Sequence, residues 1–108
     1  MIKLIASDID GTLLQNGETE ISPRFFDAAR RLLDSGVAVC AASGRQYKSL
    51  LRLFAPLAER MHFICENGAV VYAPGGRLLS KTVIDRAVCL ALCRDILAVP
   101  DCELLISG

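Results

Sequence analysis

Ile2-Lys3-Leu4-Ile5-Ala6-Ser7-Asp8-Ile9-Asp10-Gly11-Thr12 is the stretch that decides the fold. Residues Ile2 to Ser7 form a short apolar run with β-branched members. It stops at two acids and a glycine, the pattern of a buried strand running into a loop. Ser22-Pro23 then opens a helix, since serine caps orphan amides and proline suits the first turn, and Gly36 supplies a left-handed stop. Phe26, Ala29, Leu32 and Leu33 fall on one face of that helix, which is expected to cover one side of a sheet.

Val37 to Ala42 is a second apolar run. Strand, crossover helix and strand imply parallel pairing with a right-handed connection. A second helix is expected from about Gln46 to Ala58, with Tyr47, Leu50, Leu51 and Phe54 inward and Pro56 as a kink or early stop. His62 to Cys65 reads as a third strand. Val70–Ala73 and Arg77–Ser80 read as a hairpin joined through Pro74-Gly75-Gly76. Helical spacing returns from Ile84 to Leu97, and Cys102 to Ile106 reads as a further strand. The fold class is α/β, with a core over residues 1–82 and the start of a second unit over 83–108.

Over 108 residues the 12 basic and 12 acidic side chains cancel, and 53% of residues are hydrophobic. A folded domain with a modest core is therefore expected, with no basic face for nucleic acid or anionic lipid. No apolar stretch is long enough to span a bilayer, and the N-terminal run meets acids too early for a signal peptide, so no membrane partner and a cytoplasmic location are expected. The five cysteines are odd in number, lie in apolar runs and form no Cys-x-x-Cys pair, so they read as reduced core thiols. Cys89 and Cys93 share a helical face, but with His62 as the only histidine a zinc site lacks ligands.

In a parallel sheet, ligands bind beyond the carboxyl ends of the strands. Those ends carry Asp8-Ile9-Asp10-Gly11-Thr12, Ser43-Gly44-Arg45 and Glu66-Asn67-Gly68. Two acids at i and i+2 face one ligand only if the chain leaves the pleat, which Gly11 permits. Such a pair is either a solvated turn or a metal and acid–base site. Magnesium prefers hard oxygens and keeps waters, so the Asp8 carboxylate, a backbone carbonyl and a phosphate oxygen suit it. A carboxylate also attacks phosphorus when the repulsion between anions is offset, and Asp10 could then protonate the leaving oxygen and activate water. Ser43 and Gly44, ahead of a helix start, form a phosphate cradle. Arg45 either holds an anionic substrate group or pairs with a local carboxylate. Asn67 is either a substrate contact or simply the turn residue before Gly68.

Asp8-Ile9-Asp10-Gly11-Thr12-Leu13-Leu14 resembles the first motif of the haloacid dehalogenase (HAD) superfamily, Asp-x-Asp-Gly-Thr, and Ser43-Gly44-Arg45 resembles its second. With Glu66-Asn67-Gly68-Ala69 and the following hairpin, the chain looks most like the Cof-type sugar-phosphate phosphatases, whose HAD-like Rossmannoid sheet carries an α+β cap after the third strand. The resemblance implies that Asp8 is nucleophile and magnesium ligand, and that Asp10 is acid/base and binds magnesium through its carbonyl. It implies that Ile9, Ser43 and Gly44 contact phosphate, that residues 15–21 form a flap, and that a substrate-selecting cap begins near Thr82.

The family also uses a third-motif lysine and a fourth-motif acidic cluster after the cap, and neither is assignable here. Lys48 and Lys81 read as solvated surface lysines. A truncated or partial chain is therefore expected. The implied activity is magnesium-dependent hydrolysis of small phosphorylated metabolites, sugar phosphates among them, through an aspartyl-phosphate. The alternatives are a catalytically incomplete fragment that keeps weak phosphate binding, and phosphomutase-type transfer. An exposed apolar face on the helix after Ile84 would favour self-association.

Overall fold

The computed structural model describes residues 1–108. Five strands, β1 (Leu4–Asp8), β2 (Ala38–Ala42), β3 (His62–Cys65), β4 (Val70–Ala73) and β5 (Arg77–Lys81), lie side by side in sequence order. The β1–β2 and β2–β3 pairs are parallel, whereas β3–β4 and β4–β5 are antiparallel. Helices α1 (Pro23–Asp34) and α2 (Tyr47–Leu53) provide the two crossovers, and α3 (Arg86–Leu97) follows the sheet. The sheet is thus mixed, its parallel half built by two strand–helix–strand units.

Local chemistry sets the helix ends. The Arg24 N–H donates to the Ser22 hydroxyl at 3.2 Å, with Pro23 as the first helical residue. At the other end Gly36 adopts φ +89°, and the N–H groups of Gly36 and Val37 donate to the carbonyls of Leu33 and Leu32 at 3.1 and 3.0 Å. This is a Schellman closure, which glycine makes without steric cost. α2 stops at Leu53, short of the expected Ala58, because Pro56 lacks an N–H and disfavours helical geometry in the residue before it. Asp85 caps α3, accepting from the N–H groups of Ala87 and Val88 at 3.0 and 3.3 Å.

Both crossover helices pack on one face of the sheet. Val39 and Ala41 of β2 and Phe63 and Cys65 of β3 point into a core shared with Ala29 of α1 and Leu50 of α2. Phe54, just past α2, stacks edge-on against Phe25 at 5.7 Å and tilted against Phe63 at 6.0 Å, locking helices to sheet. Phe54, Phe63, Leu50, Met61 and Ile9 are fully enclosed. Each contributes about 1.5–3 kcal/mol of hydrophobic stabilisation.

Two expectations are corrected. β1 is not buried: it pairs only with β2 and leaves Leu4 56% and Ile5 37% exposed. An apolar run enables burial on both faces, but a neighbour must be present to provide it. Residues 102–106 form no strand and join none of the five, since an apolar run becomes a strand only where a partner completes its backbone ladder.

α3 has no buried residue and exposes Val88, Leu90, Leu92 and Leu97. The radius of gyration, 16.7 Å, exceeds the ~13 Å of a compact chain of this length, so the molecule is drawn out. No helix is long and apolar enough to cross a membrane.

Candidate active site

Strand register builds the site. Asp8 pairs with Ala42, and Ala42 with Ile64, so the three strands reach the same edge in one row. The residues that follow leave the sheet side by side. The Ser43 N–H donates to the Ile64 carbonyl at 2.9 Å, and the N–H groups of Glu66 and Asn67 return to the carbonyls of Arg45 and Ser43 at 3.0 and 3.1 Å. Loops two and three are thereby fastened to each other.

After Asp8 the chain folds into a tight turn around one carbonyl. The oxygen of Ile9 accepts from the N–H groups of Thr12, Leu13 and Leu14 at 3.0, 2.9 and 2.9 Å, and the Gly11 N–H reaches the Leu14 carbonyl at 2.7 Å. Gly11 sits at φ +85°, a region that side chains resist, which allows both acids to leave the pleat. Ile9 is buried and anchors the turn from below.

Asp8 is exposed. Its Oδ2 accepts a long 3.3 Å hydrogen bond from the Thr12 hydroxyl, and no protein donor reaches its Oδ1. One carboxylate oxygen is thus available as a nucleophile or a metal ligand. The Ser43 Oγ accepts from the Arg45 N–H at 3.0 Å, which leaves the Ser43 O–H free to donate elsewhere. No protein acceptor takes the amide N–H groups of Ile9, Asp10 or Gly44. Backbone donors without partners are rare away from water, and an anion would satisfy them. α2 starts at Tyr47, three residues beyond Gly44, so these amides, more than the helix dipole, supply the attraction.

Arg45 takes a local carboxylate, one of its two expected alternatives. Its Nε and Nη2 donate to Asp10 Oδ2 and Oδ1 at 3.0 and 2.7 Å. This guanidinium, through its hydrogen bonds first, holds the Asp10 carboxyl below its ordinary 3.8. With both side-chain oxygens occupied, Asp10 has its backbone carbonyl left for a cation, and no donor bonds that carbonyl. Magnesium fits this donor set, which is all hard oxygen: one free Asp8 carboxylate oxygen and one free Asp10 carbonyl. No group of three or more metal-ligating side chains is gathered, so water and substrate oxygens would complete the shell.

Asn67 is a turn residue in backbone terms. Glu66, Asn67 and Gly68 run through φ of +51°, +56° and +97°. The Asn67 side chain makes no hydrogen bond and lies over Gly44, where an added Cβ would meet Asn67 Oδ1 at 3.0 Å. Lys48 and Lys81 are exposed and form no ion pair.

Sequence reasoning missed the partner of Arg45 and a neighbouring cavity of about 570 Å3 lined by Thr19, Glu20, Arg45, Ser49 and Arg52 with apolar neighbours. The three-residue spacing of Ser49 and Arg52 within α2 was the available signal.

The chain matches the haloacid dehalogenase-like hydrolase family over residues 5–107. It is 38% identical over 85 residues to Phosphatase YwpJ of Bacillus subtilis, covering 79% of this chain and 30% of that protein. It is 31% identical over 107 residues to 5-amino-6-(5-phospho-D-ribitylamino)uracil phosphatase YbjI of Escherichia coli, covering 99% of this chain and 39% of that one. Among solved structures, a haloacid dehalogenase-like hydrolase from B. subtilis superposes with a TM-score of 0.79 at 33% identity, over 90% of this chain and 34% of its own. BT1666 of Bacteroides thetaiotaomicron, described among phosphatases of the HAD superfamily, gives 0.70 at 31%, over 88% and 36%. The chain therefore spans between 30% and 39% of the lengths of these proteins.

Proposed function

Because the chain belongs to the haloacid dehalogenase-like hydrolases, we propose that it carries the N-terminal part of a magnesium-dependent phosphatase site for small phosphorylated metabolites, sugar phosphates among them. The observation that carries this reading is the free Asp8 oxygen at a sheet edge where the amides of Ile9, Asp10 and Gly44 lack acceptors. On this reading residues 1–82 belong to the catalytic core and 83–108 begin the cap. The end of β5 at Lys81 and the unpacked α3 support that division.

Asp8 Oδ1 attacks phosphorus, the bond to the leaving oxygen breaks, and that oxygen takes a proton from Asp10. Water then gives a proton to Asp10 while attacking the aspartyl-phosphate, which releases phosphate and restores Asp8. The amides of Ile9 and Gly44 and the Ser43 hydroxyl hold the phosphoryl oxygens throughout. Magnesium would be held by the other Asp8 oxygen, Oδ2, whose bond to the Thr12 hydroxyl is a long 3.3 Å, and by the Asp10 carbonyl, and would offset the repulsion between the two anions. The Arg45 pairing keeps Asp10 ionised, which suits the base half of the cycle. The acid half requires the substrate to part the pair. Asn67, poised over Gly44, is assigned a secondary substrate contact.

The absence of three gathered metal-ligating side chains favours a second reading, in which the chain binds phosphate without turning over. Magnesium-dependent phosphate release from p-nitrophenyl phosphate, together with 31P-detected phosphate binding, separates the two. On the enzyme reading D8N lowers kcat by on the order of 10³-fold or more with an unchanged circular dichroism spectrum. Retained turnover in D8N would remove Asp8 from the mechanism. Phosphate binding without turnover would select the second reading.

A further inference from the structure

Cys89 and Cys93 lie one turn apart inside α3, which is helical throughout from Arg86 to Leu97. Neither takes part in the chemistry described so far. Both are partly exposed, in contrast to the buried Cys40 and Cys65. Positions four apart share one helix face, with Cβ atoms about 5–6 Å from each other. The two thiols sense each other: loss of hydration first, then a hydrogen bond shared with Cys89 and the charge of Cys89, raise the Cys93 thiol above its ordinary 9.0. A proton held between two sulfurs is what a cation bound to both replaces.

The gap between the side chains decides what joins them. A disulfide needs Cβ atoms about 3.5–4.5 Å apart, so it would strain the helix. Two metal–sulfur bonds of about 2.3 Å span roughly 4.6 Å between sulfurs, which suits the helix as it stands. The number of ligands decides which metal. Asp85, one turn before Cys89, spends its Oδ2 on the N–H groups of Ala87 and Val88, and no third ligating side chain is gathered with the pair. Two sulfurs do not complete the tetrahedron of zinc, and magnesium prefers oxygen. Thiolates select copper(I), a soft ion satisfied by two ligands in line. Arg86, three residues before Cys89 and in no ion pair, brings a positive charge to the same face to offset the anionic complex.

We propose that Cys89 and Cys93 form a dithiolate site for a soft univalent cation, represented by copper(I). On binding, each thiol gives its proton to water and each sulfur donates an electron pair to the ion, so two protons leave, one cation enters and nothing is oxidised. The site is separate from the strand-end oxygens proposed for magnesium, and it stands whether or not the phosphatase reading does.

Anaerobic titration of the reduced 108-residue chain with copper(I), against a chromogenic copper(I) chelator, tests the proposal. One copper per chain is expected. C89S and C93S each weaken the affinity by on the order of 10²-fold or more, because a single thiol loses the advantage of two linked ligands. C102S leaves it unchanged. A second variant, A91C/C93S, keeps two thiols on α3 but sets them about 200° apart around the helix. It is expected to bind as weakly as C93S, with the helical circular dichroism signal retained in every variant. Copper affinity retained in C89S or in A91C/C93S would overturn the site, as would an affinity that depends on Cys102 or no competition with the chelator. Displacement of copper by excess magnesium would also overturn it, since the ion would then sit among the strand-end oxygens.

Discussion

Arg45 grips both carboxylate oxygens of Asp10, Nε to Oδ2 at 3.0 Å and Nη2 to Oδ1 at 2.7 Å, across 35 residues of chain. Such a fork fixes the orientation of the acid as well as its charge. It occupies the side chain of Asp10 and leaves the backbone carbonyl as the oxygen of that residue without a hydrogen bond.

Removing the guanidinium in R45A therefore raises the Asp10 carboxyl toward its ordinary 3.8. A folded-state value below the unfolded one contributes stability above the unfolded value, and that contribution is lost as pH falls through the folded one. R45A is expected to lose this acid-side dependence below about pH 4. Carbon-detected NMR titration of Asp10 checks the shift, and an unchanged titration would show that the pair does not persist in solution. R45K restores little, because an ammonium cannot form the fork.

Gly44 matters for closeness. An alanine Cβ there meets Asn67 Oδ1 at 3.0 Å and Nδ2 at 3.3 Å, and these atoms end an exposed side chain that can swing away. G44A is expected to cost less than about 1 kcal/mol of stability. The cost should vanish in an N67A background. A urea double-mutant cycle measures this, and a cost that persists without the Asn67 carboxamide would place the strain in the backbone.

Burial pushes the Cys65 thiol up to about 11, with the Glu66 charge and then Cys40 adding to the effect, and burial also raises Cys40. Between 9.0 and about 11 the folded chain keeps the Cys65 proton that the unfolded chain gives up, so stability falls as pH rises through that window. In native protein at pH 8 the exposed Cys102 should react first with a disulfide reagent, while Cys40 and Cys65 wait for unfolding. Prompt modification of Cys65 would mean that the sheet opens readily.

The open edge of β1 and the bare apolar residues of α3 are expected to drive self-association of the 108-residue chain. Concentration-dependent light scattering checks this, and L92E, on α3, should reduce it. A monodisperse monomer at high concentration would contradict it.

The sequence by itself determined the order of elements and the residues at the strand ends, because those signals act over a few neighbouring residues. Ser22 and Gly36 bound a helix through their own hydrogen bonds and dihedral angles, and Gly11 bends the chain by its lack of a Cβ. Alternation and helical spacing were enough to bring Asp8, Ser43 and Glu66 to one edge. Tertiary structure alone decided which acid Arg45 holds, that Asn67 lies over Gly44, and that Arg52 and Glu20 share a cavity. It also decided that β1 stands exposed and that residues 102–106 stay outside the sheet. Each of these depends on groups distant in the chain, and a local pattern states only what a segment is able to bury or pair, while the presence of a partner settles whether it does.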